Sequence, residues 1–133
     1  MARRPTLEID GVTYKNVYEV SYEINTAKDE TGRPSDTARA GVIKITRESE
    51  GTVDIARWAM DSSETNWKGG RVTFMTPDNK MMKELVWESG FITKYEEHVP
   101  HTKEKPDEQM FEYFEISCKL LTIGDAQIDN LWD

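Results

Sequence analysis

The chain has a single cysteine, so Cys118 has no internal partner for a disulfide. It sits in an alternating stretch, where a small buried hydrophobe is expected and not a reactive thiol. The two histidines, His98 and His101, fall short of the ligand set that a closed zinc site needs, and Pro100 between them prevents a helix from presenting both rings on one face. No metal and no cofactor is expected. Positive charge is scarce: 17 Lys and Arg stand against 25 Asp and Glu, a formal charge of -8. That balance repels a phosphate backbone instead of releasing its counterions, which argues against nucleic acid as a partner. No apolar run is long enough to span a bilayer, and the basic start, Arg3 and Arg4 before Pro5, leads into no apolar signal region. The expectation is a protein assembled in the cytoplasm without membrane insertion. Export, if it occurs, would use a machine that reads folded assemblies and not a signal peptide.

The signatures of catalysis are missing as well. There is no Gly-x-x-x-x-Gly-Lys phosphate loop and no Gly-x-Ser-x-Gly elbow, and "GDAQIDN" lacks the dense acidic spacing of a calcium loop. Carboxylates are abundant, yet none stands in a motif that fixes an acid beside a base, so the chain is not read as an enzyme. A small-ligand carrier is the stronger rival on architecture, because antiparallel barrels often hold apolar molecules. A barrel this short would fill its own interior.

What the chain does have is alternation. At 133 residues it is one domain's worth, taken here as a single domain over 1–133 with a long loop at 26–40 and a tail at 125–133. "TLEIDGVTY" reads as a hairpin closed by Asp10-Gly11. "VTYKNVYEVSYEI" sets Val12, Tyr14, Tyr18, Val20, Tyr22 and Ile24 at even spacing, which predicts one long half-buried strand. "AGVIKITRE" is a further strand. In "GTVDIARWAMDSS" the period changes: Ile55, Trp58 and Ala59 fall at helical spacing, with Thr52 as the expected cap and Asp54 suited to the first turn. "GGRVTFMTPDNKMMKELVWESGFITKYEE" gives two strands around a Pro77-Asp78-Asn79 turn, the second interrupted at Ser89-Gly90 by a bulge or bend. "HVPHTKEKPDEQ" is a polar loop. "MFEYFEISCKLLTI" is the last strand, with Phe114, Ile116, Cys118 and Leu120 on one parity. Strands of this kind, with one helix, close as an antiparallel barrel or sandwich.

The stretch "KDETGRPSDTARAGVIKI" stands apart, because a long polar loop rich in turn residues brings Arg33 and Arg39 into an acidic chain before it enters a strand. This run, followed in order by "WAMD", "GGRVTF", "MKELVWESGFITKYEE" and "FEISCKLLTIG", resembles the haemolysin-coregulated protein family, the inner-tube subunits of type VI secretion systems. The resemblance covers Val17 to Gly124 and is to the branch with an Asp-x-Thr-Gly-Arg-Pro-Ser loop. Asp29, Thr31, Gly32, Arg33, Pro34, Ser35, Arg39 and Gly41 match that pattern, while Ala40 departs from its Arg-Gly-Gly. The resemblance implies a mainly β fold, a compact barrel of two antiparallel sheets with one short flanking α-helix. It also implies hexameric rings that stack into a tube, expelled by a contractile sheath and able to carry effectors in the lumen. The partners implied are other copies, sheath and spike components, and effector proteins. Tail-tube proteins of phages and extracellular contractile injection particles share this general barrel and are the alternative. The loop residues Asp29, Thr31, Gly32, Arg33, Pro34, Ser35 and Arg39 are expected to form a subunit or ring interface, with the guanidiniums meeting carboxylates on an acidic neighbour.

Overall fold

A computed structural model describes residues 4–61, 63, 65–99 and 110–132. Strands β1 (Thr6–Ile9) and β2 (Val12–Tyr14) form the expected hairpin. Asp10 and Gly11 both take positive φ, 52° and 83°, the mirror-image turn whose twist matches its strands. β2 ends at Tyr14 and does not run on into the next strand. Asn16 enters the left-handed region at φ 59°, and pairing resumes in β3 (Val17–Ser21) across a register shift between Val17 and Glu19. Tyr14 and Val17 therefore both face the core, three residues apart, while Val12, Tyr18 and Ile24 are exposed. The single long strand read from even spacing is three pieces, the last being β4 (Ile24–Asn25), because one left-handed residue and one bulge each reset the alternation.

The remaining strands are β5 (Arg39–Ala40), β6 (Ile43–Glu48), β7 (Lys68–Met75), β8 (Met81–His98), β9 (Phe111–Ile123) and β10 (Ala126–Asp129). Every strand pairing among the described residues is antiparallel. The main sheet has eight strands in the order β2-β1-β7-β8-β9-β6-β3, with β10 added to β9, and β4 and β5 form a small second sheet. β2 and β3 stand at opposite ends of that order yet are joined by Lys15 and Asn16 alone, so the sheet must curl until its edges approach. Mainly β architecture with one short helix is thus as expected, the second sheet being much the smaller.

The interruption at Ser89-Gly90 is present. Ser89 has φ 54°, and two residues of β8, Glu88 and Ser89, oppose Gly69 alone in β7 between the Gly70–Trp87 and Lys68–Gly90 pairs. The inward parity shifts with it: Leu85 and Trp87 are buried before the bend and Gly90 after it. β9 bends alongside, so Cys118 and then Leu121 are buried, and Leu120, expected inside, is only half-buried.

Helix α1 (Asp54–Met60) buries Ile55, Ala56 and Trp58 against β8. Ala59 is only half-buried. Thr52 does not cap it; Val53 holds the cap position without any side-chain bond. The other end is tied by Asn66, whose side-chain amide donates to the backbone carbonyls of Trp58 and Asp61 while its backbone carbonyl accepts the Trp58 indole N–H at 2.9 Å. The core is filled by side chains, among them Leu7, Val17, Ile43, Ile45, Trp87 and Phe114.

Burial pushes the Cys118 thiol up to about 11 from its ordinary 9.0. Burial first, and then the hydrogen bond to Glu115, pushes the Tyr113 phenol up to about 12 from 10.0. A raised acid keeps its proton in the native state while the unfolded chain has lost it, so stability is full below the unfolded pKa and falls as pH rises through the window between the two values. For Cys118 alone the slope approaches about 1.4 kcal/mol per pH unit. Denaturant midpoints should hold steady up to about pH 8 and decline from about pH 9 upward. A thiol reagent at neutral pH should label Cys118 only at the rate of unfolding, and rapid labelling of native protein would contradict its burial.

Candidate subunit interface

The loop between β4 and β5 is organised by one carboxylate. Asp29 Oδ1 accepts the Thr31 N–H at 2.9 Å, the Thr31 hydroxyl at 2.7 Å and the Arg33 N–H at 3.1 Å. The backbone closes around it: Asp29 N–H donates to the Arg33 carbonyl at 2.9 Å, and Gly32 N–H to the Asp29 carbonyl at 3.0 Å. Gly32 turns at φ 88°, a conformation an L side chain rarely adopts, with open space around it. Lys28 bridges Pro34, and Ser35 N–H reaches the Ala27 carbonyl at 2.8 Å. These bonds, the Thr31 hydroxyl's first, hold the Asp29 carboxyl below its ordinary value. Short side chains that accept from their own backbone are what make Asp, Thr and Gly the natural residues of such a turn.

Six of the expected residues, Asp29, Thr31, Gly32, Arg33, Pro34 and Ser35, thus form one exposed knob. Arg33 is fixed through its backbone on both sides, while its guanidinium makes no hydrogen bond or ion pair among the described residues. Arg39 is elsewhere. Half-buried at the base of the loop, it donates from Nη1 to the Asn130 carbonyl at 2.6 Å. The Asn130 side chain exchanges bonds with both backbone groups of Ala40 and donates to the Cys118 carbonyl at 2.8 Å. The tail after Gly124 is therefore the latch that anchors the loop, strengthened by Trp132 packing on Phe91 at 5.9 Å between ring centroids. Sequence reading missed Asn130, since nothing local marks an asparagine that binds a strand 90 residues earlier.

It also missed a buried polar network. Arg47 is 2% exposed and pairs with Glu112, itself buried, and at 2.8 Å with Glu50. Its Nε donates to the Lys15 carbonyl, and its guanidinium lies over the Tyr14 ring at 5.1 Å. Tyr95 donates its hydroxyl to the second Glu112 oxygen at 2.6 Å. Burial and then Glu112 raise the Tyr95 phenol, and burial followed by Asp54 raises that of Tyr14. This network joins β6, β8 and β9 and is structural.

His98 packs on Phe111 with ring centroids 5.1 Å apart, and His101 lies outside the described residues. Among the described residues no cluster of three metal-ligating side chains occurs, and no helix is long and apolar enough to cross a membrane. Large apolar side chains are exposed on several elements: Val12, Tyr18, Ile24, Met60 at 83%, Trp67, Met81 and Met82. A lone subunit leaves all of these wet.

The comparisons with known proteins agree with this geometry. Residues 1–133 match the family model described as hemolysin coregulated protein Hcp (TssD). The structure of Hcp1 from Flavobacterium johnsoniae is 32% identical, with 96% of this chain and 100% of that one covered at a TM-score of 0.83. Hcp1 from Salmonella typhimurium shares the fold at 11% identity, 96% and 92% coverage and a TM-score of 0.70. The sheath-tube complex of an extracellular contractile injection system shares it more loosely, at 12% identity, 94% and 86% coverage and 0.54. No curated protein matches the sequence.

Proposed function

The chain belongs to the hemolysin-coregulated protein family, the tube subunits of type VI secretion systems, and from that premise we propose that six copies close into a ring and that rings stack through the Lys28–Ala40 loop. The observation that carries the reading is the match of the whole chain to the family, together with a full-length relative that keeps nearly a third of its residues. Family membership makes the chain a structural tube protein that self-assembles, associates with a surrounding sheath and is secreted. The spread of exposed apolar groups supports self-assembly, since a closed ring needs two different faces on each subunit. Native mass spectrometry should find a hexamer. A strict monomer at high micromolar concentration would count against the ring.

The tail tube of an injection particle remains the second reading, and the lower similarity to such particles favours it less. Cargo is proposed to bind in the lumen and not in a pocket of one subunit, because a ring repeats every weak contact around its axis. An obligately monomeric variant that captures effectors as well as the ring would refute this.

The loop is the proposed clamp, with Asp29, Thr31, Gly32, Pro34 and Ser35 holding its shape, Arg33 reaching the neighbour and Arg39 fixing its base. Arg33→Ala should weaken assembly by about 2–5 kcal/mol per interface, the cost of unpairing a desolvated charge, and leave thermal unfolding of the subunit unchanged. Arg39→Ala should act differently, costing about 1–2 kcal/mol of subunit stability with the bond to Asn130. Rings and stacks as persistent as the parent's in both variants would sink the clamp.

A further inference from the structure

Between the β1–β2 hairpin and α1 lies an open cleft of about 200 Å³. Its apolar lining includes Ile9, Tyr14 and Ile55, and its rim carries three carboxylates, Asp10, Asp54 and Asp61. The two cations there are already engaged: Arg57 with Asp54 at 3.3 Å and Lys68 with Asp10 at 3.7 Å. Among the described residues the Asp61 carboxylate accepts only the Ser63 N–H, at 3.1 Å, and has no cationic partner. The cleft is thus apolar within and one negative charge in excess at its rim.

We propose that this cleft receives the Arg33–Pro34 tip of a second copy's loop, an inference that rests on reading that loop as the clamp. The tip has the complementary make-up, an unpaired guanidinium beside an exposed proline ring, so the cation can meet Asp61 while the ring covers apolar lining. It is also preorganised. The Asp29 hydrogen bonds hold the turn in shape before contact, which reduces the ordering cost of docking. Among the described residues no hydrogen bond or ion pair joins loop to cleft within the subunit, so knob and hole are separate features of one chain. A knob that fits a hole elsewhere on the same molecule makes a head-to-tail contact, the kind that closes into rings or continues into stacks.

Two measurements test it. In the first, protein carrying Arg33→Cys is mixed with protein carrying Val12→Cys under mild oxidation. Val12 lines the cleft and is 48% exposed, and Cys118 is buried and silent. A covalent heterodimer between the two proteins is expected. In the second, Arg33→Glu and Asp61→Arg are made singly and together. Each single reversal should raise the concentration needed for assembly by at least about tenfold, and the double reversal should restore it. Subunit unfolding should be unchanged throughout, since Asp61 sits at the C-terminus of α1, where a cation is favourable. Absence of the heterodimer, or no rescue in the double variant, while Arg33→Glu still impairs assembly, would overturn the cleft as the receptor and leave the clamp standing. Unimpaired assembly of Arg33→Glu would overturn the clamp itself.

Discussion

Arg47→Met should lower the free energy of unfolding by about 3–5 kcal/mol, because it leaves Glu112 charged and buried with no cation. At this chain length such a loss moves the thermal midpoint by roughly 10–20 °C. Glu112→Gln should be costly too, since it removes the carboxylate that both the Arg47 guanidinium and the Tyr95 hydroxyl address. The informative variant is the combined one. With Arg47→Met, Glu112→Leu and Tyr95→Phe together no buried donor or charge is stranded, and most of the loss should be recovered, because desolvation offsets much of what the ion pair contributes. Equal instability of the triple variant and the Arg47 single would show that the network is needed for its own geometry and not merely for mutual neutralisation. Thermal and urea unfolding of the three proteins make the comparison.

This network shows what could be read in advance and what could not. Ile43, Ile45 and Arg47 share one parity in β6, and Glu112, Phe114, Ile116 and Cys118 share one in β9. Alternation alone therefore places both charges on the core side, but a reading that follows apolar residues stops at Ile45 and Phe114. Features set by neighbours in sequence were legible: the Asp10-Gly11 turn, the Ser89-Gly90 bulge, the helix periodicity and the turn chemistry of the loop. Features set by distant partners were not. The even spacing from Val12 to Ile24 looked like one strand because nothing in it shows that Asn16 will turn left-handed to bring β3 alongside β6. For the loop, composition revealed that Arg33 and Arg39 were unusual, yet only the fold separates them, one exposed at the tip and one bound to a tail residue far along the chain.

Gly70→Ala should be among the most damaging small substitutions in the protein. A Cβ there would stand 2.3 and 2.4 Å from two ring carbons of Trp87 and 2.6 Å from the Glu8 carbonyl. Gly90 lies against the same ring, its Cβ position 2.6 Å from the indole nitrogen and 2.9 Å from the Lys68 carbonyl, the group that accepts the indole N–H at 3.0 Å. Trp87 is 1% exposed. Two strands have given up side chains so that one large ring can lie flat between them, and the bulge at Ser89 brings Gly90 to that place. Overpacking by one methyl usually costs about 1–3 kcal/mol, and the backbone contacts put this case at the upper end. Trp87→Ala should cost about 3–5 kcal/mol through the cavity it leaves. The two effects must be coupled: in a Trp87→Leu background Gly70→Ala loses its clash with the ring but keeps the one with the Glu8 carbonyl. Its penalty should therefore shrink without vanishing, and a double-mutant cycle on unfolding free energies measures the difference. Strict additivity would mean that the glycine serves the backbone approach of β1 and not the tryptophan.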